Sequence, residues 1–190
     1  MNYRDTSRRL AEYRQQIDEL REKMRSAQAA IEPEEVRDYE LTNASGKVTL
    51  SALFGSKDTL FLIHNMGTTC PSCTMWADGF NGVFEHVRAR AAFVVSSPDA
   101  PALQQSFAAA RGWRFPMVSH QGTTFANDMG YSRNGEPMPG VSVFKRKAGK
   151  ILRVADSAFD EGDEYCVVWR LIDLIPEGAA GWRPSFNYPA

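Results

Sequence analysis

At 190 residues, with 43% hydrophobic and 24% charged side chains, the chain has the material for one domain, burying roughly 70% of the surface that its unfolded form exposes. No apolar run approaches the ~20 residues that span a bilayer, which excludes a transmembrane helix. A net charge of -1 gives no electrostatic reason to expect nucleic acid or an anionic membrane as partner.

The start, MNYRDTSRRLAEYRQQ, has basic residues but no apolar stretch or small-residue cleavage site after them, so it is not read as a secretory signal and the cytosol is the expected compartment. Residues 1–40 hold 8 Lys or Arg and 10 Asp or Glu, after which the chain turns apolar. That shift divides an N-terminal amphipathic helix, 1–37, from a main domain, 38–190. Leu10, Tyr13, Ile17, Leu20, Met24 and Ala27 alternate three and four apart and form one helical stripe. Arg8 and Glu12, Arg14 and Asp18, and Glu19 and Lys23 sit four apart on other faces and add a few tenths of a kcal/mol each. Pro33 stops the helix, which from about residue 5 to 30 runs roughly 39 Å. Such a helix either straps its own domain or forms a homodimer contact.

From residue 38 short strands alternate with helices. Tyr39–Leu41 and Lys47–Leu50 flank the turn cluster Asn43-Ala44-Ser45-Gly46 and read as a hairpin. Thr59-Leu60-Phe61-Leu62-Ile63-His64 is the nearly continuous apolar run of a strand buried on both faces. The box Cys70-Pro71-Ser72-Cys73 follows, and then Met75, Trp76, Phe80, Val83, Phe84 and Val87 mark a helix face. Ala92–Ser96 is a second buried strand, Asp99-Ala100-Pro101 opens a helix to about Arg111, and Phe115–Ser119 is a third strand. Val141–Lys145 and Ile151–Ala155, joined through Ala148-Gly149, form a hairpin, and a last helix is expected from about Asp163 to Leu174. This order implies an α/β fold whose sheet is parallel in its first half. The end, Trp182 to Tyr188, is too aromatic for a solvated tail.

The two cysteines of the box admit three readings: a redox pair, half of a metal site, or two small core thiols. In a reducing compartment the spacing favours redox chemistry or metal over a static bridge. At a helix N-terminus Cys70 would meet unpaired N–H groups that favour its thiolate, and Cys73, one turn on, can reach it. Pro71 suits the first helical position, and Thr68 and Thr69 are small hydroxyl residues able to cap the helix beside the sulfur. As a redox pair, Cys70 attacks a disulfide and Cys73 resolves the mixed disulfide. As a zinc site, closure would need Cys166 and one of His64, His86 or His120, since no second Cys-x-x-Cys exists. Cys166 itself, in Glu164-Tyr165-Cys166-Val167-Val168-Trp169, reads as a small buried hydrophobe, and Trp76, Trp113 and Trp169 read as core.

Strand, Cys-Pro-Ser-Cys at a helix start, a βαβ unit and then Met138-Pro139-Gly140-Val141-Ser142-Val143-Phe144-Lys145 before a hairpin resemble the thioredoxin fold. More closely, Cys-Pro-Ser-Cys with Trp76-Ala77-Asp78, Gly112-Trp113-Arg114-Phe115-Pro116 with Val118-Ser119, and Pro139-Gly140 are similar to the uncharacterised thioredoxin-like family called domain of unknown function 899. The likeness covers about residues 38–188. It implies a thioredoxin-like fold, a central mixed sheet flanked by helices, with the N-terminal helix as an extension. It also implies a cis Pro139 packed on the cysteine pair, with the Met138 backbone pairing an extended substrate. His64 occupies the place, six residues before Cys70, of a buried acid in many thioredoxins, where it would exchange a proton with Cys73 or steady the Cys70 thiolate.

The expected activity is thiol-disulfide oxidoreduction through Cys70 and Cys73, with Pro139 and His64 assisting and a disulfide-containing protein or small thiol as substrate. No cofactor is called for. Val48–Gly55 before a buried strand also resembles the lead-in of peroxiredoxin and alkyl-hydroperoxide-reductase-like chains, so a thiol-dependent peroxidase is an alternative. There the reactive cysteine follows a threonine by three residues, whereas position 67 here is glycine. A non-catalytic binding or copper-handling module is a third.

Overall fold

A computed structural model describes residues 2–188. The chain divides into two units, one ending at Pro33 and the other beginning at Glu34. The first is helix α1, Tyr3–Ala29. Asn2 caps it, its Oδ1 accepting the Asp5 N–H at 2.9 Å, one of the donors a helix start leaves without an internal partner. The apolar stripe lies along it as the spacing predicts, and none of its residues is buried. The boundary falls before residue 37 because Glu34–Val36 is already a strand of the second unit, β1, paired with a distant part of the chain.

The second unit adds, in chain order, β2 (Glu40–Asn43), β3 (Gly46–Thr49), a 3-10 turn at Ser51–Phe54, β4 (Thr59–His64), α2 (Pro71–Arg90), β5 (Ala92–Ser97), α3 (Pro101–Arg111), β6 (Met117–Ser119), α4 (Phe125–Asp128), the two-residue strands β7 (Ser132–Arg133) and β8 (Glu136–Pro137), β9 (Gly140–Lys147), β10 (Lys150–Ala158) and α5 (Val167–Ile172). Eight strands form one sheet in the order β1-β10-β9-β4-β5-β6-β2-β3. Within it β4, β5 and β6 are parallel, as right-handed strand–helix–strand crossovers require, and the flanking pairs are antiparallel.

Alternation along the central strands separates two cores. Leu60 and Leu62 of β4, Val94 of β5 and Phe144 of β9 share one cluster with Phe54 and Phe125. Ile63, Phe93, Val95 and Val141 point the other way and join Trp76 and Phe84 of α2, Phe159 and Trp169. Both faces of β4 are therefore covered, which accounts for its unbroken apolar sequence.

The last helix is shorter than its sequence suggests. Asp163 Oδ1 accepts the backbone N–H of Tyr165 at 2.9 Å and of Cys166 at 3.2 Å, a side-chain turn that competes with helical bonding. Helix α5 starts only after it, with Cys166 as its N-cap residue.

Candidate active site at the Cys70–Cys73 turn

The cysteines lie where β4 hands the chain to α2. Pairing continues one residue past the strand, Asn65 N–H donating to Ser96 O at 2.8 Å. The loop then folds on itself. Gly67 N–H donates to Asn65 Oδ1 at 2.8 Å and Thr68 N–H to Asp99 Oδ2 at 2.8 Å. Gly67 sits at φ 107°, and a Cβ there would come within 2.9 Å of Asp99 Oδ2, so both conformation and space require glycine. The Cys70 N–H then closes the loop on Gly67 O at 3.1 Å.

Cys70 is the N-cap of α2, and Pro71 holds its first position, as the sequence predicts. The capping atom is the Cys70 sulfur itself, which accepts the Cys73 N–H at 3.1 Å. The Thr68 hydroxyl, expected beside the sulfur, points instead to Asp99 Oδ1 at 3.5 Å. Thr74 supports the turn through its N–H and hydroxyl, both donating to Cys70 O at 3.1 and 3.0 Å. Cys73 is fixed from the loop: its sulfur accepts the Met66 N–H at 3.4 Å and its carbonyl the Asn65 Nδ2 at 3.4 Å.

These contacts drive the two thiols apart in acidity. The Cys73 thiol donates to the Cys70 sulfur; against the opposing effect of burial, that bond and the N–H groups of Cys73 and Ser72 lower Cys70 to about 7. Cys73 moves far up, because its proton is held by Cys70, because it is buried, and because a second negative charge beside Cys70 is unfavourable. Cys70 is thereby more ionised at neutral pH than an ordinary cysteine, of which a few per cent is thiolate. All three cysteines are free thiols. Cys70 is 8% exposed and Cys73 2%.

His64 does not join them. As residue six of β4 it shares the face of Leu60 and Leu62, opposite α2. There it stacks on Tyr131 at 3.8 Å, its Nε2 meets Ser142 Oγ at 2.9 Å, and its Nδ1 has no hydrogen-bond partner among the described residues. Burial, then the charges of His120 and Arg153, hold its pKa well below the usual histidine value, so it stays neutral. The expected proton exchange with Cys73 is corrected on this ground: strand alternation aims the imidazole away from the sulfurs.

Pro139 also departs from expectation. No peptide bond among the described residues is cis. The chain is already extended when it reaches Pro139, because β7 and β8 form a ladder and the Met138 N–H donates to Tyr131 O at 2.9 Å. The Pro139 carbonyl accepts the Phe159 N–H at 3.0 Å, and the Met138 side chain packs into the cluster on the face away from α2. Of the Met138 backbone expected to pair an extended substrate, the N–H is thus already occupied.

The ligands a zinc site would need are not brought together. His86 is exposed on α2 about 20 Å along the helix from Cys73, His64 faces away, and His120 binds Ser96 Oγ through Nδ1 at 2.9 Å. Among the described residues no three His, Cys, Asp or Glu side chains are grouped to hold a metal ion. Cys166 is buried in the same apolar cluster as Cys70 and Cys73, and burial raises its pKa. Trp76 is core, 5.4 Å from Phe159, with its Nε1 donating to Asp163 Oδ1 at 3.3 Å.

Asn65, the Met66 N–H and Asp99 are the site residues that sequence reasoning passes over. Asn65 follows a strand directly and Asp99 precedes an Ala-Pro helix start, positions that mark loops without saying which loop they brace.

A family model described as "Bacterial protein of unknown function (DUF899)" matches residues 2–186. No curated protein matches the chain. Among solved structures, peroxidoxin BcpB from Mycobacterium tuberculosis is similar at 27% identity and a TM-score of 0.53, covering 66% of this chain and 84% of its own. A peroxiredoxin-like protein from Aquifex aeolicus (15%, TM-score 0.52, 66% of this chain, 74% of its own) shares the fold. So does reduced Prx3 in complex with hydrogen peroxide from Vibrio vulnificus (12%, TM-score 0.54, 68% and 89%). The thioredoxin-like fold expected from the motifs is therefore the fold of this chain.

Proposed function

Since the chain belongs to the DUF899 family of bacterial proteins of unknown function, membership brings no activity with it, and we propose from the site that the protein is a thiol-dependent peroxidase using Cys70 and Cys73. The observation that carries this reading is a Cys70 sulfur lowered to about 7 yet only 8% exposed. A thiolate in that position suits a small oxidant better than a folded protein disulfide, and the Met138 N–H that would align an extended peptide is already bonded. The likeness to peroxidoxin BcpB, at 27% identity, supports the same choice.

In the first step the Cys70 thiolate attacks one peroxide oxygen, the O–O bond breaks, and the leaving alkoxide or hydroxide takes the Cys73 thiol proton, leaving as alcohol or water. Cys70 is then a sulfenic acid and Cys73 a thiolate beside it. Cys73 attacks the Cys70 sulfur, the S–O bond breaks, hydroxide departs and is protonated by solvent, and a disulfide forms. An external dithiol returns the two electrons and two protons by exchange. The arrangement gives Cys73 two successive uses, as proton source and as resolving thiol.

Direct exchange with a disulfide substrate is the second reading, favoured by Cys73 standing one turn from Cys70 and hydrogen-bonded to it. Peroxide consumption with dithiothreitol as reductant, run beside reduction of insulin disulfides, separates the two. The proposal expects turnover of hydrogen peroxide or an alkyl hydroperoxide that Cys70→Ser abolishes. Insulin reduction without peroxide consumption would overturn it in favour of the second reading.

A further inference from the structure

Each sulfur of the pair has a backbone donor of its own. The Ser72 N–H serves Cys70, the Met66 N–H serves Cys73, and the Cys73 N–H is shared between the two. Of these three donors, the Met66 N–H comes from outside α2, on the loop that follows β4, and it stands 3.4 Å from the Cys73 sulfur. While Cys70 holds the charge this bond is weak, because Cys73 keeps its proton and donates it to Cys70. It gains strength once Cys70 has reacted. Cys70 is then neutral, Cys73 must become the attacking thiolate, and an N–H bond to a charged acceptor is about twice as strong as one to a neutral acceptor.

A backbone N–H can be aimed only if its neighbours are held, and Asn65 holds Met66 from both sides. The Asn65 N–H extends the ladder between β4 and β5, donating to Ser96 O at 2.8 Å. Its Oδ1 accepts the Gly67 N–H at 2.8 Å, which closes a side-chain turn around Met66. Its Nδ2 donates to the Cys73 carbonyl at 3.4 Å and so ties that turn to the residue whose sulfur the Met66 N–H meets. The Asn65 side chain is buried, out of reach of the water that would compete for these bonds.

We propose that Asn65 is a positioning residue for the resolving step: it aims the Met66 N–H at the Cys73 sulfur, where negative charge arrives once Cys70 has been oxidised. The inference rests on Cys73 acting as the resolving thiol in the function proposed above. It holds whether the oxidant is a peroxide or a disulfide.

One equivalent of dithiodipyridine, followed by stopped-flow absorbance, reads the two thiols in turn. The Cys70 thiolate attacks one probe sulfur, the probe's S–S bond breaks and a first thiopyridone leaves. Cys73 then gives its proton to solvent and attacks the Cys70 sulfur; the mixed disulfide breaks, a second thiopyridone leaves and the Cys70–Cys73 disulfide forms. Cys73→Ser, limited to the first release, assigns the phases. In Asn65→Ala the second phase is expected to slow about tenfold and its pH midpoint to rise, while the first phase changes by less than about twofold. Asn65→Asp keeps the acceptor for the Gly67 N–H and loses the donor to the Cys73 carbonyl. It is expected to slow the second phase as well, and it carries the test if Asn65→Ala does not fold. A second phase as fast as wild type in either folded variant, both phases slowed alike, or a wild type without a second phase would each overturn the inference. Because the probe is a disulfide, a wild type that ignores peroxide would defeat the peroxidase reading and leave this result standing.

Discussion

The Cys73 N–H donates to the Cys70 sulfur at 3.1 Å, while the Cys73 thiol donates to the same atom. One residue thus supplies two of the bonds that hold its neighbour's charge, and the acidity of Cys70 depends on the presence of Cys73.

Removing only the side-chain donor separates the two contributions. In Cys73→Ala the N–H remains, so the Cys70 pKa is expected to rise from about 7 towards the ordinary thiol value. The pH dependence of iodoacetamide alkylation, read by mass spectrometry at Cys70, should shift upward by about one unit. An unchanged midpoint would mean that the helix start alone sets the acidity.

The loop before Cys70 has no slack at Gly67. Gly67→Ala must accommodate φ 107° and an Asp99 carboxylate 2.9 Å from the new carbon. A loss of about 1–3 kcal/mol is expected in denaturant unfolding, together with slower oxidation of Cys70. Asp99→Ala, which strands the Thr68 N–H, is expected to cost about 1–2 kcal/mol and to loosen the same loop.

Gly140 is constrained by space alone. A Cβ there would run into the Tyr131 ring and lie 2.6 Å from the Ser157 carbonyl oxygen, and the carbonyl belongs to a paired strand that cannot swing aside. Gly140→Ala should destabilise by about 3 kcal/mol. Adding Tyr131→Leu is expected to recover only part of that loss, since the carbonyl contact remains.

His64 links stability to pH without touching the sulfurs. Its folded pKa is depressed, first by burial, so below about pH 6.5 the unfolded chain binds a proton that the folded chain refuses. Stability contributed by neutral His64 is full above that pH and declines as pH falls, by up to ~1.4 kcal/mol per pH unit. His120, depressed by burial too, adds in the same direction. Urea midpoints between about pH 7 and pH 5 should fall less steeply in His64→Gln than in wild type, while the Cys70 alkylation profile stays where it was. A shifted alkylation profile would restore His64 to the thiol chemistry.

How much of this could be read from the sequence varies from element to element. The unbroken apolar run of β4, the Pro at the first position of α2 and the stripe of α1 are local signals, and each marks its element within a residue or two. The thiol pair was legible for the same reason: spacing and helix start lie within four residues. The face that His64 takes is not legible, because a strand buried on both faces shows no polar alternation to tell where a given side chain points. Pro139 follows from the Met138–Tyr131 bond and the ladder before it, and α5 from the turn around Asp163, neither of which leaves a mark in hydrophobic periodicity. Asn65 and Asp99 brace the cysteine loop from different segments, and only folding brings them together.

In the proposed chemistry Cys70 is oxidised by peroxide and resolved by Cys73. Reduced protein treated with one equivalent of hydrogen peroxide and examined by intact and peptide mass spectrometry tests it most directly. Expected are a Cys70–Cys73 disulfide in wild type, a dimedone-trapped sulfenic acid at Cys70 in Cys73→Ser, and no change at either position in Cys70→Ser. Both thiols surviving peroxide unchanged, or oxidation confined to Cys166, would contradict it.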